Sequence, residues 1–322
     1  MSANVVRPKV LVTDADGYAA AATCVALAQR GYTVVGTVAA LQGFVVPILR
    51  LRLGAAFIPI VITDPTKEHA FDDIFKAHPD ISNVIHMPAP ARLAILDPNN
   101  IIDPIVAATT NILSTVARDG SNVRRVVMTS SAASLLEYIE SPSSFNEVDW
   151  KRYSTVYVDK HCRKASIPLI YRESKVISEQ AAWNFAATHR AGSNNPVKFD
   201  LVTVQPVLCP APPPPPISDL ELPSFELHEH STDATTVTSH EPLEHDISVH
   251  LIHVADTVLA HVLALESSEL KGDQEGRKQL KFAEEPEQWP KFRSAAAQSG
   301  LDVSLPAGLF DSAIPQMLYE WL

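Results

Sequence analysis

A tyrosine and a lysine four residues apart form the most reactive pair that the sequence offers. Tyr171 and Lys175 belong to the segment Tyr-Arg-Glu-Ser-Lys, and in a helix two residues at this spacing lie on one face, one turn apart. A phenol has an ordinary pKa near ~10, and a neighbouring ammonium stabilises the phenolate and lowers that pKa. The pair can therefore exchange a proton with an oxygen atom of a bound substrate.

Two serines are candidates for holding that substrate oxygen. Ser130 and Ser131 directly follow the apolar residues 125–129, which predict a buried strand. Ligands of parallel α/β sheets bind outside the carboxyl ends of the strands, and both serines would lie at that edge. The serine, the tyrosine and the lysine together predict an acid–base site, although a Tyr and a Lys at this spacing also occur on ordinary half-buried helices.

Strands and helices alternate through the first two thirds of the chain. Short apolar, β-branched runs predict six strands, and the segments between them carry helical periodicity. This order indicates a parallel sheet covered by helices on both faces, a doubly wound α/β fold of the Rossmann type. The predicted strands are 9–13, 32–38, 57–62, 83–86, 125–129 and 200–204, and the predicted helices are 19–30, 67–77, 103–118, 173–190 and 256–265.

The composition changes after the sixth predicted strand. Five consecutive prolines open an acidic, histidine-bearing segment without periodicity, and its histidines lack the ligand spacing of a zinc site, so we predict no metal. We expect residues 1–206 and 247–268 to form the dinucleotide-binding type of domain. We expect 207–246 and 269–322 to form a small cap, in which 207–246 is a mobile wall of the substrate site.

Charge and composition exclude several classes of protein. The chain has 322 residues, of which 46% are hydrophobic, and its net charge of −11 argues against a nucleic-acid groove and against binding to an anionic membrane. Three widely separated cysteines fit a reducing compartment, and no unbroken apolar run suggests a signal peptide or a membrane span. We expect a cytoplasmic protein, and a homodimer is left open.

The order of the sequence motifs resembles that of the extended short-chain dehydrogenases/reductases of the NAD-dependent epimerase/dehydratase family. The resemblance is to the branch of dihydroflavonol reductases, cinnamoyl-CoA reductases and fungal aldehyde reductases, and it covers most of the first 206 residues. The motifs are VLVTDADGYAAA (10–21), GYTVVGTV (31–38), ITDPTKEHAFDDIF (62–75), NVIHMPAP (83–90), TTNIL (109–113), RRVVMTSSAAS (124–134), YRESKVISEQAAWNF (171–185), LVTVQPVL (201–208) and IHVADTVLAHVLALE (252–266).

The resemblance implies a catalytic role for four residues. Ser131 would orient the substrate oxygen, with Ser130 as its alternative, and Tyr171 would donate the proton. Lys175 would hold the nicotinamide ribose and tune the phenol, and Asn111 would support a proton-relay water. The cofactor-binding positions that it implies are Thr13, Asp14, Asp16, Gly17, Tyr18, Asp64, Pro88, Lys175 and Pro206.

The glycine-rich turn departs from the pattern T-G-x-x-G-x-x-G of the family. Asp14 replaces the first glycine, and only Gly17 is retained. An aspartate can adopt the left-handed backbone, but its carboxylate would repel a pyrophosphate, so we expect the dinucleotide to bind weakly or not at all. Asp16 is a candidate N-cap of the following helix. Ala39 stands where the family has Arg or an acidic residue, so the choice between NADP and NAD is left open.

Three functions follow from these observations. The first is an NAD(P)H-dependent reductase that acts on the carbonyl group of a hydrophobic small molecule, in specialised metabolism. The second is a redox-neutral isomerase, cyclase or dehydratase that uses Tyr171, Lys175 and Ser131 for acid–base chemistry without hydride transfer. The third is a ligand sensor without activity. The intact Tyr–Lys pair argues against the third, and the altered glycine turn argues against the first.

Overall fold

Seven parallel strands form one sheet in the order β3-β2-β1-β4-β5-β6-β7. The structure is a computed structural model that describes residues 8–88, 99–134, 167–189, 196–206, 209, 254–267 and 279–282. The strands are β1 Lys9–Val12, β2 Thr33–Val38, β3 Phe57–Val61, β4 Ile81–His86, β5 Arg125–Thr129, β6 Asp200–Pro206 and β7 Gln279–Phe282. The helices are α1 Tyr18–Gln29, α2 Val45–Leu53, α3 Asp72–Ala77, α4 Asn99–Asp119, α5 Ile167–Thr188 and α6 Val254–Glu266, with 3₁₀ turns at Gly54–Ala56 and Ala132–Ser134.

Helices cover both faces of this sheet, as the alternating elements predict. Side chains of a strand point alternately to its two faces, so Val10 and Val12 pack with α1 and α6 while Leu11 packs with α3, α4 and α5. Both clusters are apolar and almost fully buried. The predicted Rossmann-type architecture is therefore confirmed. The order of the strands reverses between β1 and β4, and ligands of such sheets bind at this point.

Strand β2 contains a glycine, Gly36, whose side-chain space is taken by neighbouring side chains. A Cβ atom on Gly36 would lie 2.6 Å from the ring of Phe57 and 2.8 Å from the Cβ atom of Ala15. The absence of a side chain lets the turn after β1 and the first residue of β3 both approach β2 closely. This close packing holds the turn between β1 and α1 against strand β2.

A buried arginine, Arg125, connects strand β5 to two other elements of the fold. Its guanidinium is only 7% exposed. It donates to the carbonyl oxygens of Ala264 and Ser267, at 2.8 and 2.6 Å, and to the carboxylate of Asp200 at 3.3 Å. A buried cation thus joins the start of β5 to the end of α6 and to β6.

Two sequence predictions need correction in the first third of the chain. Residues 45–53, for which no helix is predicted, form α2; Pro47 is tolerated there because the first turn of a helix needs no N–H group. The helix predicted from residue 67 begins only at Asp72. The residues before it form tight turns, and His69 has a φ of 68°, which no helix accommodates.

One short segment of the predicted cap pairs with the sheet, while the division into domains stays a prediction. Residues 279–282 form β7, which pairs with β6 from Thr203 to Pro206, so part of the segment 269–322 belongs to the sheet. The remainder of the predicted cap, including 210–246, lies outside the described residues. Among the helices that are described, none combines the length and the apolar character needed to cross a membrane.

Candidate active site

The tyrosine, the lysine and one serine meet beside the carboxyl end of β5. Tyr171 lies in the first turns of α5, where it packs against apolar residues of α4. Its phenol shares a hydrogen bond with the hydroxyl of Ser131. The Lys175 Nζ atom lies 5.5 Å from the centre of the Tyr171 ring. The structure thus brings together the three residues that the spacing and the strand end predict.

Burial controls the ionisation of the phenol. Removal from water raises the pKa of Tyr171 to about 12, and the hydrogen bond with Ser131 only partly offsets this rise. The expectation that Lys175 lowers the pKa of Tyr171 below its ordinary value is therefore wrong for this structure. The phenol remains protonated at neutral pH and is a proton donor in its resting state.

The ammonium group of Lys175 is the main positive charge of the site. Its side chain is 3% exposed, and this burial lowers the pKa of Lys175 to about 8. The carboxylates of Asp14 and Glu179 act in the opposite direction and favour the charged form. At neutral pH the lysine is therefore charged, with two carboxylates as its electrostatic partners.

The two serines after β5 have separate environments. The Ser130 hydroxyl donates to the Oε2 atom of Glu179 at 2.5 Å, and its backbone N–H donates to the carbonyl of Val204. Ser131, by contrast, bonds to Tyr171. The geometry therefore favours Ser131 over Ser130 as the serine of the site.

A fully buried carboxylate below the site was not predicted. Glu179 is 0% exposed and accepts hydrogen bonds from Ser130, Trp183, Thr203 and Gln205 at 2.5–3.2 Å. It lies one turn beyond Lys175 on α5, so the same helix face carries the phenol, the ammonium and the carboxylate. The signal was available, because Tyr171, Lys175 and Glu179 recur at four-residue intervals.

A second buried network links the first turn to the helices. Thr13 accepts a hydrogen bond from the backbone N–H of Met87 at 3.0 Å, and its Oγ1 lies 3.0 Å from Nδ1 of His86. The other ring nitrogen lies 3.1 Å from Oγ1 of Thr109, which lies 3.5 Å from Oγ of Ser178. Burial lowers the pKa of His86 to about 3, and the charge of Lys175 acts in the same direction. His86 is thus a neutral, satisfied histidine that ties β1 to α4.

Asp14 occupies the left-handed conformation that the family provides with a glycine. Its φ is 52°, its backbone N–H donates to Oγ1 of Thr37 at 3.0 Å, and its carbonyl accepts from Gly17 at 2.8 Å. The expectation that the turn persists with an aspartate is confirmed. A carboxylate is thereby placed in electrostatic reach of Lys175.

Asp16 does not cap α1, contrary to the expectation. Gly17 is the N-cap residue, and the Oδ2 atom of Asp16 instead accepts a hydrogen bond from the backbone N–H of Ala39 at 3.0 Å. The acceptor reaches the residue that follows β2 because the turn after β1 packs against that strand. The carboxylate is therefore directed away from the N-terminus of the helix.

The other predicted cofactor residues stand around this edge. The carbonyl of Pro88, which follows β4, accepts a hydrogen bond from Lys175 at 2.5 Å. Pro206 ends β6, and Tyr18 begins α1, where it packs beside Cys209; burial raises the pKa of this phenol strongly. Asp64 accepts hydrogen bonds from Thr66, which lower the pKa of its carboxyl.

The side-chain amide of Asn111, a predicted catalytic residue, binds backbone carbonyl groups of another segment. Its Nδ2 atom donates to the carbonyl oxygens of Pro65, Thr66 and Lys67, at 3.0, 2.9 and 3.0 Å. The amide therefore fastens the turn after Asp64 to α4. Its predicted role in supporting a proton-relay water stays a prediction.

Comparison with known proteins decides the family. Residues 10–194, more than half of the chain, match the model of the NAD dependent epimerase/dehydratase family. The chain belongs to this family. The prediction of an oxidoreductase with the short-chain dehydrogenase/reductase fold is thereby confirmed, as is the predicted cofactor class, a nicotinamide dinucleotide (NADP or NAD).

Several reductases of the epimerase/dehydratase family are similar to the chain. Ketoreductase azaE from Aspergillus niger is 28% identical over 270 residues, which are 82% of this chain and 75% of the relative. The putative NADPH-dependent methylglyoxal reductase GRP2 from Candida albicans is 27% identical over 287 residues, 82% of this chain and 76% of the relative. The crystal structure of yeast methylglyoxal/isovaleraldehyde reductase Gre2 complexed with NADPH has a TM-score of 0.64 and 26% identity, and the match covers 85% of this chain and 78% of that one.

The turn after β1 fits the dinucleotide of this family in one respect and opposes it in another. Helix α1 begins at a glycine N-cap with no acidic residue in its first turn, and such an N-terminus offers N–H groups to a phosphate. The carboxylate of Asp14, in the same turn, would repel that phosphate. The turn therefore fits a nicotinamide dinucleotide, and the weakening of its binding by Asp14 stays a prediction.

Proposed function

We propose that this family member is an NAD(P)H-dependent reductase that acts on the carbonyl group of a hydrophobic small molecule. The observation that carries the proposal is the hydrogen bond between Ser131 and Tyr171 beside the buried ammonium of Lys175. It supplies a hydrogen-bond donor and a proton donor to a single carbonyl oxygen. The similarity to a ketoreductase and to a methylglyoxal reductase supports the reaction class, and a role in specialised metabolism is part of the proposal.

The residues would act in a defined order. When bound, a reduced nicotinamide dinucleotide would provide the hydride for the carbonyl carbon. Ser131 donates a hydrogen bond to the carbonyl oxygen and orients it, and Tyr171 transfers its proton to that oxygen as negative charge develops there. Lys175 then stabilises the resulting phenolate until the proton is replaced.

Apolar side chains beside the phenol support a hydrophobic substrate. Ile101, Ile102 and Ile105 of α4 are buried next to Tyr171, so one side of the proton donor is apolar. The segment 207–246 remains our proposal for the other wall of the substrate site.

The proposal is tested by following the absorbance of reduced nicotinamide with a panel of aromatic and aliphatic aldehydes and ketones. We expect Tyr171→Phe to lower kcat about 10²–10⁴-fold, because the ring still packs but the proton is gone. Tyr32→Phe is the matched control, since the Tyr32 hydroxyl donates an exposed hydrogen bond to Glu266. Near-normal turnover by Tyr171→Phe would contradict the proposal.

The redox-neutral alternative rests on a separate observation. Asp14 places a carboxylate where the family has a glycine, near the pyrophosphate position, and so weakens the case for a hydride donor. Turnover of a substrate in the complete absence of both dinucleotides, with loss of that turnover in Tyr171→Phe, would favour this alternative over the reductase.

A further inference from the structure

A carboxylate from the turn after β1 stands at the carboxyl end of β2. The two strands are parallel neighbours, with Val12 paired to Gly36 and Thr33 paired to Lys9, so the chain leaves both at the same edge. The Oδ2 atom of Asp16 accepts the backbone N–H of Ala39, the first residue after β2, at 3.0 Å. The hydrogen bond fixes one carboxylate oxygen there and leaves the other for a ligand.

The end of the second strand is where doubly wound folds recognise the adenosine ribose. An acidic side chain accepts hydrogen bonds from the ribose 2′-hydroxyl of NAD, and an arginine accommodates the 2′-phosphate of NADP. We propose that Asp16 performs the first task in this chain and selects NAD(H) over NADP(H). The inference rests on the proposed function, because it assigns a preference to the same dinucleotide site.

The charges around this position favour the assignment. The segment from Gly31 to Leu49, which includes β2 and most of α2, contains no Lys, Arg, Asp or Glu. The next basic residues, Arg50 and Arg52, lie in the last turn of α2. A 2′-phosphate at the end of β2 would therefore meet the carboxylate of Asp16 and no cation from the segment that follows the strand.

The physical consequence is a difference in affinity between two otherwise identical cofactors. The shared parts of NADH and NADPH meet the same residues, including Asp14, so their contributions cancel in the ratio of the two dissociation constants. The 2′-phosphate adds repulsion from Asp16, whereas the 2′-hydroxyl gains an acceptor. We expect NADH to bind roughly 10–100-fold more tightly than NADPH at low salt. This preference differs from that of the relatives whose names specify NADPH.

The test measures the Kd values of NADH and NADPH for the full chain by calorimetry or nucleotide fluorescence, without any substrate. Asp16→Asn keeps an acceptor for the Ala39 N–H but removes the charge, so we expect the preference to shrink about tenfold through tighter NADPH binding. Ala39→Arg adds a phosphate partner and should reverse the preference. Asp80→Asn removes a charge from the exposed pair with Lys9 and serves as the matched control.

The outcomes separate this inference from the proposed function. Tighter or equal binding of NADPH by the native chain, or an unchanged Kd ratio in Asp16→Asn, would overturn the selection by Asp16 and leave the reductase intact. Binding of neither dinucleotide by any of the variants would overturn the reductase proposal itself, and the inference with it.

Discussion

Lys175 donates a hydrogen bond from its Nζ atom to the carbonyl oxygen of Pro88 at 2.5 Å. The residue before this proline, Met87, donates its backbone N–H to Thr13 at 3.0 Å. The residues after β4 therefore connect the proton-transfer site on α5 with the turn after β1. A movement of the turn after β1 would consequently be transmitted to the ammonium group of Lys175.

The buried charge of Lys175 predicts a pH dependence of stability. Its pKa is lowered to about 8 in the folded chain from an ordinary value of 10.5. Between these values the unfolded chain holds more protons, so the free energy of unfolding rises with pH over this window. Lys175→Met should remove that rise, together with catalytic activity.

Thermal unfolding from pH 7 to 10 measures the effect. The slope with pH is the informative quantity, because the variant also loses the hydrogen bond to Pro88. Lys9→Met is the matched control, since Lys9 forms an exposed pair with Asp80 and should leave the slope unchanged. Parallel curves for the native chain and Lys175→Met would contradict the prediction.

Of the two adjacent serines, Ser131 should matter for activity and Ser130 for stability. Ser131→Ala removes a hydrogen-bond donor from the reacting oxygen and should lower kcat roughly 10²–10³-fold with little change in stability. Ser130→Ala leaves buried Glu179 without one of its donors and should cost about 1–3 kcal/mol of stability, with most of the activity kept. Steady-state kinetics and urea unfolding of both variants check this, and the reverse pattern would assign the site to Ser130.

Asp14 should limit dinucleotide affinity through its charge. Replacing it by Gly removes the carboxylate and suits the φ of 52°, and Asn keeps the shape while also tolerating that φ. We expect both variants to bind either dinucleotide about 5–150-fold more tightly, as measured by calorimetry. If only Asp14→Gly improves binding, the backbone rather than the charge is responsible. No gain in either variant would show that the turn is unimpaired.

His86 should make the fold sensitive to acid. Its pKa is about 3 in the folded chain against an ordinary value of 6.5, so the unfolded chain takes up the proton first as the pH falls. Stability conferred by the neutral ring is therefore lost progressively between about pH 6.5 and 3. His86→Asn should flatten this part of the unfolding curve. An unchanged acid slope in His86→Asn would refute the assignment.

The sequence allowed the parallel sheet and the core of the site to be predicted, for a physical reason. Periodicity defines the strands, parallel strands end at one edge, and helical spacing places Tyr171 above Lys175. The environment of each group could not be predicted in this way. The raised pKa of Tyr171 depends on its burial against α4, a helix that is far from Tyr171 in the sequence.

Side-chain partners were predicted least well. Local rules favour Asp16 as an N-cap, and the family resemblance implies that Asn111 supports a proton-relay water. In the structure each side chain binds backbone from another part of the chain. Helix α2 was not predicted, although the first helical turn tolerates Pro47. Contacts across crossovers have no signature in a single sequence.

The carbonyl partners of Arg125 have a consequence for how the protein is made. They lie 139 and 142 residues further along the chain, at the end of α6. A nascent chain that has reached only β6 already contains Ser131, Tyr171 and Lys175, but it must leave the guanidinium in water or bury it with part of its coordination missing. Closing so long a loop is slow and entropically costly, which favours folding of this half of the sheet only after α6 has left the ribosome. The reactive residues are therefore translated well before the part of the sheet that positions them can fold.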